Sequence, residues 1–116
     1  MAERKLYLVF GNPNPGQEEE FDEWYDTVHI PDVMSVGNIV SAQRFRYRQL
    51  DRDAGQPVAH VHLTVYELEG DPDEFMTKMI AAVSSGKVRM QEAPFNSGTV
   101  SMSFWEPVTE KAETPG

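Results

Sequence analysis

Cysteine is absent from this sequence, which excludes disulfides, thiolate nucleophiles and thiolate-rich zinc sites. Positive charge is scarce: ten Lys and Arg stand against nineteen Asp and Glu, for a net charge of −9 and a pI near 4.6. Binding to a phosphate backbone depends on clustered Lys and Arg. These ten are spread along the chain, so neither nucleic acid nor an anionic membrane surface is an expected partner. Long apolar runs are missing too. The N-terminal stretch MAERKLYLVFGN reaches only Phe10 before Gly11 and Asn12, too short for a signal h-region and far from the roughly 20 residues a membrane span needs. A cytoplasmic location is expected. The 116 residues suffice for one domain whose core needs no metal or disulfide staple.

The chain is organised around EEEFDEWYDTVHIPDVM, residues 18 to 34. Its acidic opening suits the positive end of a helix dipole. Phe21, Trp24, Tyr25 and Val28 fall at i, i+3, i+4 and i+7, the spacing of a helix face turned to a core. Pro31 disfavours helical geometry at Ile30, so the helix is expected to end near His29 or Ile30. A short second turn then closes at Gly37.

Ahead of this stretch, RKLYLVF reads as a central strand, and GNPNPG as the loop that ends it. After it, residues 38 to 50 are long and β-prone, DRDAGQP is a turn cluster, and VAHVHLTVYELE alternates as a second strand of a hairpin. Asp71 is placed to cap a second helix that begins at Pro72, runs with Phe75, Met76, Met79, Ile80 and Val83 inward, and stops at Gly86. Residues 87 to 98 form a loop. TVSMSFWEP is a last strand. Residues 1 to 107 make the domain, and 108 to 116 a polar, disordered tail.

The order β-α-β-β-α-β is the ferredoxin-like pattern: a four-stranded antiparallel sheet with both helices on one face. The strands carry apolar side chains on both faces, so the uncovered face calls for a partner. A homodimer packed through the sheet face answers that most simply.

His29 is the leading candidate for chemistry, because an imidazole suits proton transfer near neutrality. Asp26 and Asp32 lie three residues to either side, and either could orient the ring. The plainer alternative is that His29 caps the carbonyls at the end of its own helix. On a strand His60 and His62 share one face with Tyr66. Such a pair can chelate a metal, but no HExxH or other helical ligand pair accompanies it, and no metal is expected. His62 is instead a candidate catalytic or substrate-bonding residue, against the alternative of a polar wall or interface. Hairpin register decides its neighbours: Phe45 and Tyr47 in one pairing, Arg44 and Arg46 in the other. The first gives an aromatic pocket and the second a basic one. Trp24 and Tyr25 could stack on a flat ligand, although aromatics at helical spacing are more often core. Tyr25 and Tyr66 each need a partner for the hydroxyl if buried, which suits a pocket.

Phe21, Trp24, Tyr25, His29 and Pro31, followed by VGNIVSAQRFRY, resemble the dimeric α+β barrel superfamily and most of all its EthD-like branch. The resemblance spans about residues 4 to 107. Val36-Gly37 stands where Pro-Gly is usual, which keeps the turn glycine. It implies a pocket for a small hydrophobic or aromatic molecule between helices and sheet. Where members are enzymes, it implies isomerisation, lactone rearrangement, cyclisation, dehydration or oxygenation without a cofactor. Three readings follow. The first is a cofactor-free isomerase, lyase or cyclase using His29, with Asp26 and His62 beside it. The second is a non-catalytic binding dimer. The third is a cofactor-independent oxygenase of phenols.

Overall fold

The computed structural model describes residues 4 to 90 and 93 to 115. The first three residues of the expected domain, Gln91 and Glu92 of the expected loop, and Gly116 of the expected tail lie outside the described residues. The elements run β1 (Lys5–Gly11), α1 (Glu18–Trp24), a π-helical turn (Tyr25–His29), α2 (Ile30–Met34), β2 (Ile39–Arg46), β3 (His62–Leu68), α3 (Pro72–Ser85) and β4 (Ser101–Trp105). Short 3-10 turns at Asp51–Asp53 and Ser97–Thr99 lie in the loops. The sheet order is β2-β3-β1-β4, antiparallel throughout, as the ferredoxin-like pattern requires.

Strand alternation sets the layers. Tyr7 lies opposite Tyr66 on β3 and Phe104 on β4. Its ring stacks on both, at centroid distances of 5.4 and 4.6 Å. Phe75 of α3 meets Tyr7 edge-on at 5.5 Å and is fully buried. This aromatic ladder, with Leu68, Val33, Val88 and Ala82, is the core between sheet and helices. The other row of β1, Leu6, Leu8 and Phe10, lies opposite Trp105, Val65 and Leu63 on a face that no helix covers.

Helix α3 matches its sequence signals at both ends. Asp71 accepts the Glu74 backbone N–H at 3.3 Å, and Gly86 closes the helix at φ 83°, where a side chain would be strained. The first helix differs from expectation at Pro31. It does not break there. Proline brings no N–H and its ring crowds the carbonyl four residues back, and the chain accommodates this by widening one turn. The N–H of Ile30 reaches back five residues to the carbonyl of Tyr25, and α2 follows without a break with Pro31 in its first turn. The buried row becomes Phe21, Tyr25, His29 and Val33, a constant step of four that an unbroken α-helix would rotate off the sheet. Trp24 and Val28, expected to anchor the helix, are only half-buried.

Two further departures concern the hairpin. Strict alternation would set Ile39, Ser41, Gln43, Phe45 and Tyr47 on one face of β2, but a bulge between Ile39 and Ser41 breaks it, so Ile39 shares its face with Ala42 and Arg44. Strand β3 starts only at His62, because the Asn12 side chain takes the place of a pairing strand just before it. Its amide donates to Ala59 O at 2.9 Å, and its carbonyl accepts from the Val61 N–H at 2.7 Å.

Candidate functional site

A cavity of about 530 Å³ lies between α3 and the helix-bearing face of the sheet. Tyr7, Val9 and Tyr66 form its floor, and Met76, Met79, Ile80 and Val83 its α3 wall. Tyr25, His29 and Val33 close one end, and Met90, Phe95, Val100 and Met102 border the rest. Most of this surface is apolar, and four of the six methionines of the chain take part. Methionine is flexible and polarisable, so such a wall adapts to the shape of a guest and favours aromatic ones.

His29 sits at the closed end, 7% exposed. The π-helical turn explains its surroundings. In a wider turn, residues five apart come to lie over one another, and Trp24 stacks on His29 with centroids 4.5 Å apart and planes 15° apart. Tyr25 meets the same ring edge-on at 5.1 Å. Trp24 is not a cavity residue. It backs the imidazole and is itself flanked by Phe95 at 5.7 Å.

Neither acid expected to orient His29 does so. Asp26 accepts from Arg44 Nη1 at 3.0 Å, while Asp22 accepts from Nη2 of the same guanidinium at 2.6 Å. The wide turn is the reason: it rotates residue 26 away from residue 29, toward β2. Asp32 is engaged by Arg89 through the backbone N–H at 3.0 Å, Nε at 2.9 Å and Nη2 at 2.9 Å. Those bonds hold the Asp32 carboxyl below the usual range. His29 Nδ1 is sealed from solvent and has no partner among the described residues. Nor does the ring cap its own helix, because the helix runs on. Burial pushes its pKa down to about 4, against a smaller opposing pull from Asp32. The imidazole is neutral at pH 7. An unpaired acceptor is easier to tolerate in a sealed site than an unpaired N–H, so the proton belongs on Nε2, and the ring offers a donor.

Tyr66 has the same character. It is 1% exposed, and its hydroxyl also has no partner among the described residues. Burial raises the pKa of Tyr66, Tyr25 and Tyr7, the last to about 12, so all three stay as phenols. Tyr7 differs in having a partner: its hydroxyl donates to the Met102 sulfur at 3.2 Å.

The remaining sequence candidates fall elsewhere. The register is the basic one: Arg46 lies opposite His62 and Arg44 opposite Thr64. His62 packs on Phe21 at 4.7 Å, and burial with Arg44 nearby lowers its pKa. It does not line the cavity. Arg44 lies over Tyr25 at 5.2 Å and Phe21 at 5.7 Å. Burial works against its charge, but the bonds to Asp22 and Asp26 offset that and leave its pKa raised. It ties the helix to β2 and does not line the cavity. Phe45 and Tyr47 are exposed and Phe45 points to the open face. His60 precedes β3 and packs on Phe10 at 5.4 Å, so the two histidines do not share a surface. Among the described residues, no three His, Asp or Glu side chains are grouped as a metal site would need, and no helix is long and apolar enough to cross a membrane. Tyr7 and the methionines escaped the sequence reading, since a tyrosine within an apolar strand and methionines on a helix face look like ordinary core.

Fold and site together place the chain among ferredoxin-like α+β domains that keep an apolar cavity between helices and sheet. Among solved structures it is similar to an ethyl tert-butyl ether D (EthD) family protein from Bacillus halodurans, with a TM-score of 0.60 and 16% identity over 91% of this chain and 99% of that one. At that identity the likeness is one of fold, and the fold is EthD-like. No protein-family model matches the sequence, and no curated protein matches it.

Proposed function

We propose that the protein binds a small hydrophobic or aromatic molecule in the cavity beneath α3. The observation that carries this reading is a buried polar pair with no partner among the described residues, His29 Nδ1 and the Tyr66 hydroxyl, in mainly apolar walls whose other polar side chains are Ser84, Ser97, Tyr7 and Tyr25. A buried hydroxyl left unpaired costs about 1–3 kcal/mol, and a guest that pairs with it removes that cost. Apolar pockets with few convergent polar groups are the usual form of a small-molecule site. N-phenyl-1-naphthylamine, an uncharged dye that fluoresces in apolar surroundings, is the direct probe. It is expected to bind one per chain. Ile80→Glu, at a wall position that is 61% exposed, should abolish binding, whereas Phe45→Glu on the open sheet face should leave it intact. The reverse pattern would place the site on the sheet.

Conversion of the guest is the second reading, in which the protein is an isomerase, lyase or cyclase working without a cofactor. What favours it is the neutral imidazole beside tyrosine hydroxyls. Donors fixed in a water-poor site stabilise an oxygen that gains negative charge, as in enolisation. Among the described residues no acid bonds Nδ1, which argues against His29 as a strong base, so its role would be electrophilic. Proton exchange of 2-tetralone in D2O, followed by NMR, tests this. Acceleration by the protein that is lost in His29→Phe supports it, and equal exchange in the two proteins leaves binding alone.

The uncovered sheet face belongs to the same proposal. Leu6, Phe45 and Trp105 are 38, 45 and 57% exposed there, and a second copy packed sheet to sheet would cover them.

A further inference from the structure

The cavity is notable for the side chains it lacks. The chain has ten Lys and Arg and nineteen Asp and Glu, yet none lines the cavity among the described residues. The charged groups nearest its closed end are turned away and consumed: Asp32 by Arg89, and Asp22 and Asp26 by Arg44. The titratable side chains that do line it are His29, Tyr7, Tyr25 and Tyr66, and burial drives each toward its neutral form. Deepening the binding reading, we infer that the cavity selects uncharged molecules bearing a carbonyl or similar accepting oxygen, held by His29 and Tyr66, and rejects the ionised acid of the same skeleton.

The physics is a difference in desolvation. An ionised carboxylate entering this site loses its water and meets no cation, and uncompensated burial of charge is among the costliest steps available to a protein. A ketone loses far less. It can also accept from the Tyr66 O–H, which has no other partner among the described residues, and from the imidazole N–H. A hydrocarbon loses no polar hydration but leaves the Tyr66 hydroxyl unpaired, the configuration that sites built to bond an oxygen discriminate against. The order expected is therefore ketone first, hydrocarbon second and carboxylate last.

Three probes of one shape separate these cases: 2-acetylnaphthalene, 2-ethylnaphthalene and 2-naphthoate, titrated at pH 7.5 by isothermal calorimetry. The ketone is expected to bind at least about tenfold more tightly than the carboxylate and about fivefold more tightly than the hydrocarbon, in line with one unpaired hydrogen-bonding group. Tyr66→Phe should erase the preference of ketone over hydrocarbon while the carboxylate remains the weakest. Carboxylate binding equal to or tighter than ketone binding overturns the inference and leaves the cavity as a binding site. A ketone no tighter than the hydrocarbon removes the oxygen anchor. Failure of all three probes to bind would sink the binding reading and this inference with it.

Discussion

An imidazole that is 7% exposed and has no acidic partner among the described residues binds its proton less well than one in water, and the consequence reaches stability. The unfolded chain titrates His29 near 6.5, whereas the folded protein does so at about 4. Between those values the unfolded state holds a proton that the native state does not, so stability falls as the pH drops through that window and is complete above it. The shift corresponds to roughly 3 kcal/mol at its full extent. Carboxylates titrate below pH 5 as well, so the informative quantity is a difference between two proteins. His29→Phe keeps a flat ring against Trp24 and removes the titration. Urea midpoints measured from pH 4 to pH 7 should fall less steeply in the variant than in the parent. Parallel curves would mean that His29 is not buried as described here.

At the scale of elements, Arg44 ties β2 to the first helix through Asp22 at 2.6 Å and Asp26 at 3.0 Å, with Phe21 and Tyr25 beneath its guanidinium. Its side chain is only 18% exposed, so these pairs should count for more than a typical surface ion pair. Arg44→Met preserves the packed stem and deletes the charge. A loss of about 1–2 kcal/mol in urea unfolding is expected, more than the 0–1 kcal/mol of exposed pairs. A second readout separates the latch from mere packing: the parent should lose its advantage over Arg44→Met in high salt. No salt dependence would show that the stem alone matters. Much of this level was legible in advance. The alternation of β1, the Asp71 cap and the Gly86 stop are local signals that tertiary contacts did not override. The π-helical turn was not legible. Pro31 read as a stop because its missing N–H and crowding ring usually end a helix. Whether a chain breaks or widens depends on what packs against the far side, here Val33 on the core. That single outcome moved Asp26 off His29 and brought Trp24 onto it. The His60–His62 pair failed for a comparable reason, since the Asn12 side chain that delays β3 is distant in sequence.

At the scale of the molecule, the sheet has two faces of similar apolarity and only one is covered. Tyr7, Tyr66 and Leu68 on the helix side are at most 2% exposed, while the opposite rows hold Leu6, Leu8, Phe10, Leu63, Val65, Phe45 and Trp105. Contiguous apolar surface of this kind marks an interaction site. Two antiparallel sheets pack face to face with their side chains interdigitated about 10 Å apart, which a two-fold axis through this face would provide. The acidic net charge of −9 would weaken association at low ionic strength, so the apolar contact must dominate. Sedimentation equilibrium in 0.15 M salt is expected to return twice the chain mass, with dissociation favoured at low salt. Phe45→Glu and Trp105→Glu each place a carboxylate on an exposed position of that face and should give folded monomers, with unchanged far-UV circular dichroism. A monomeric parent would refute the homodimer. Dimers that persist in both variants would assign the contact to a different surface and leave the open sheet to some other partner.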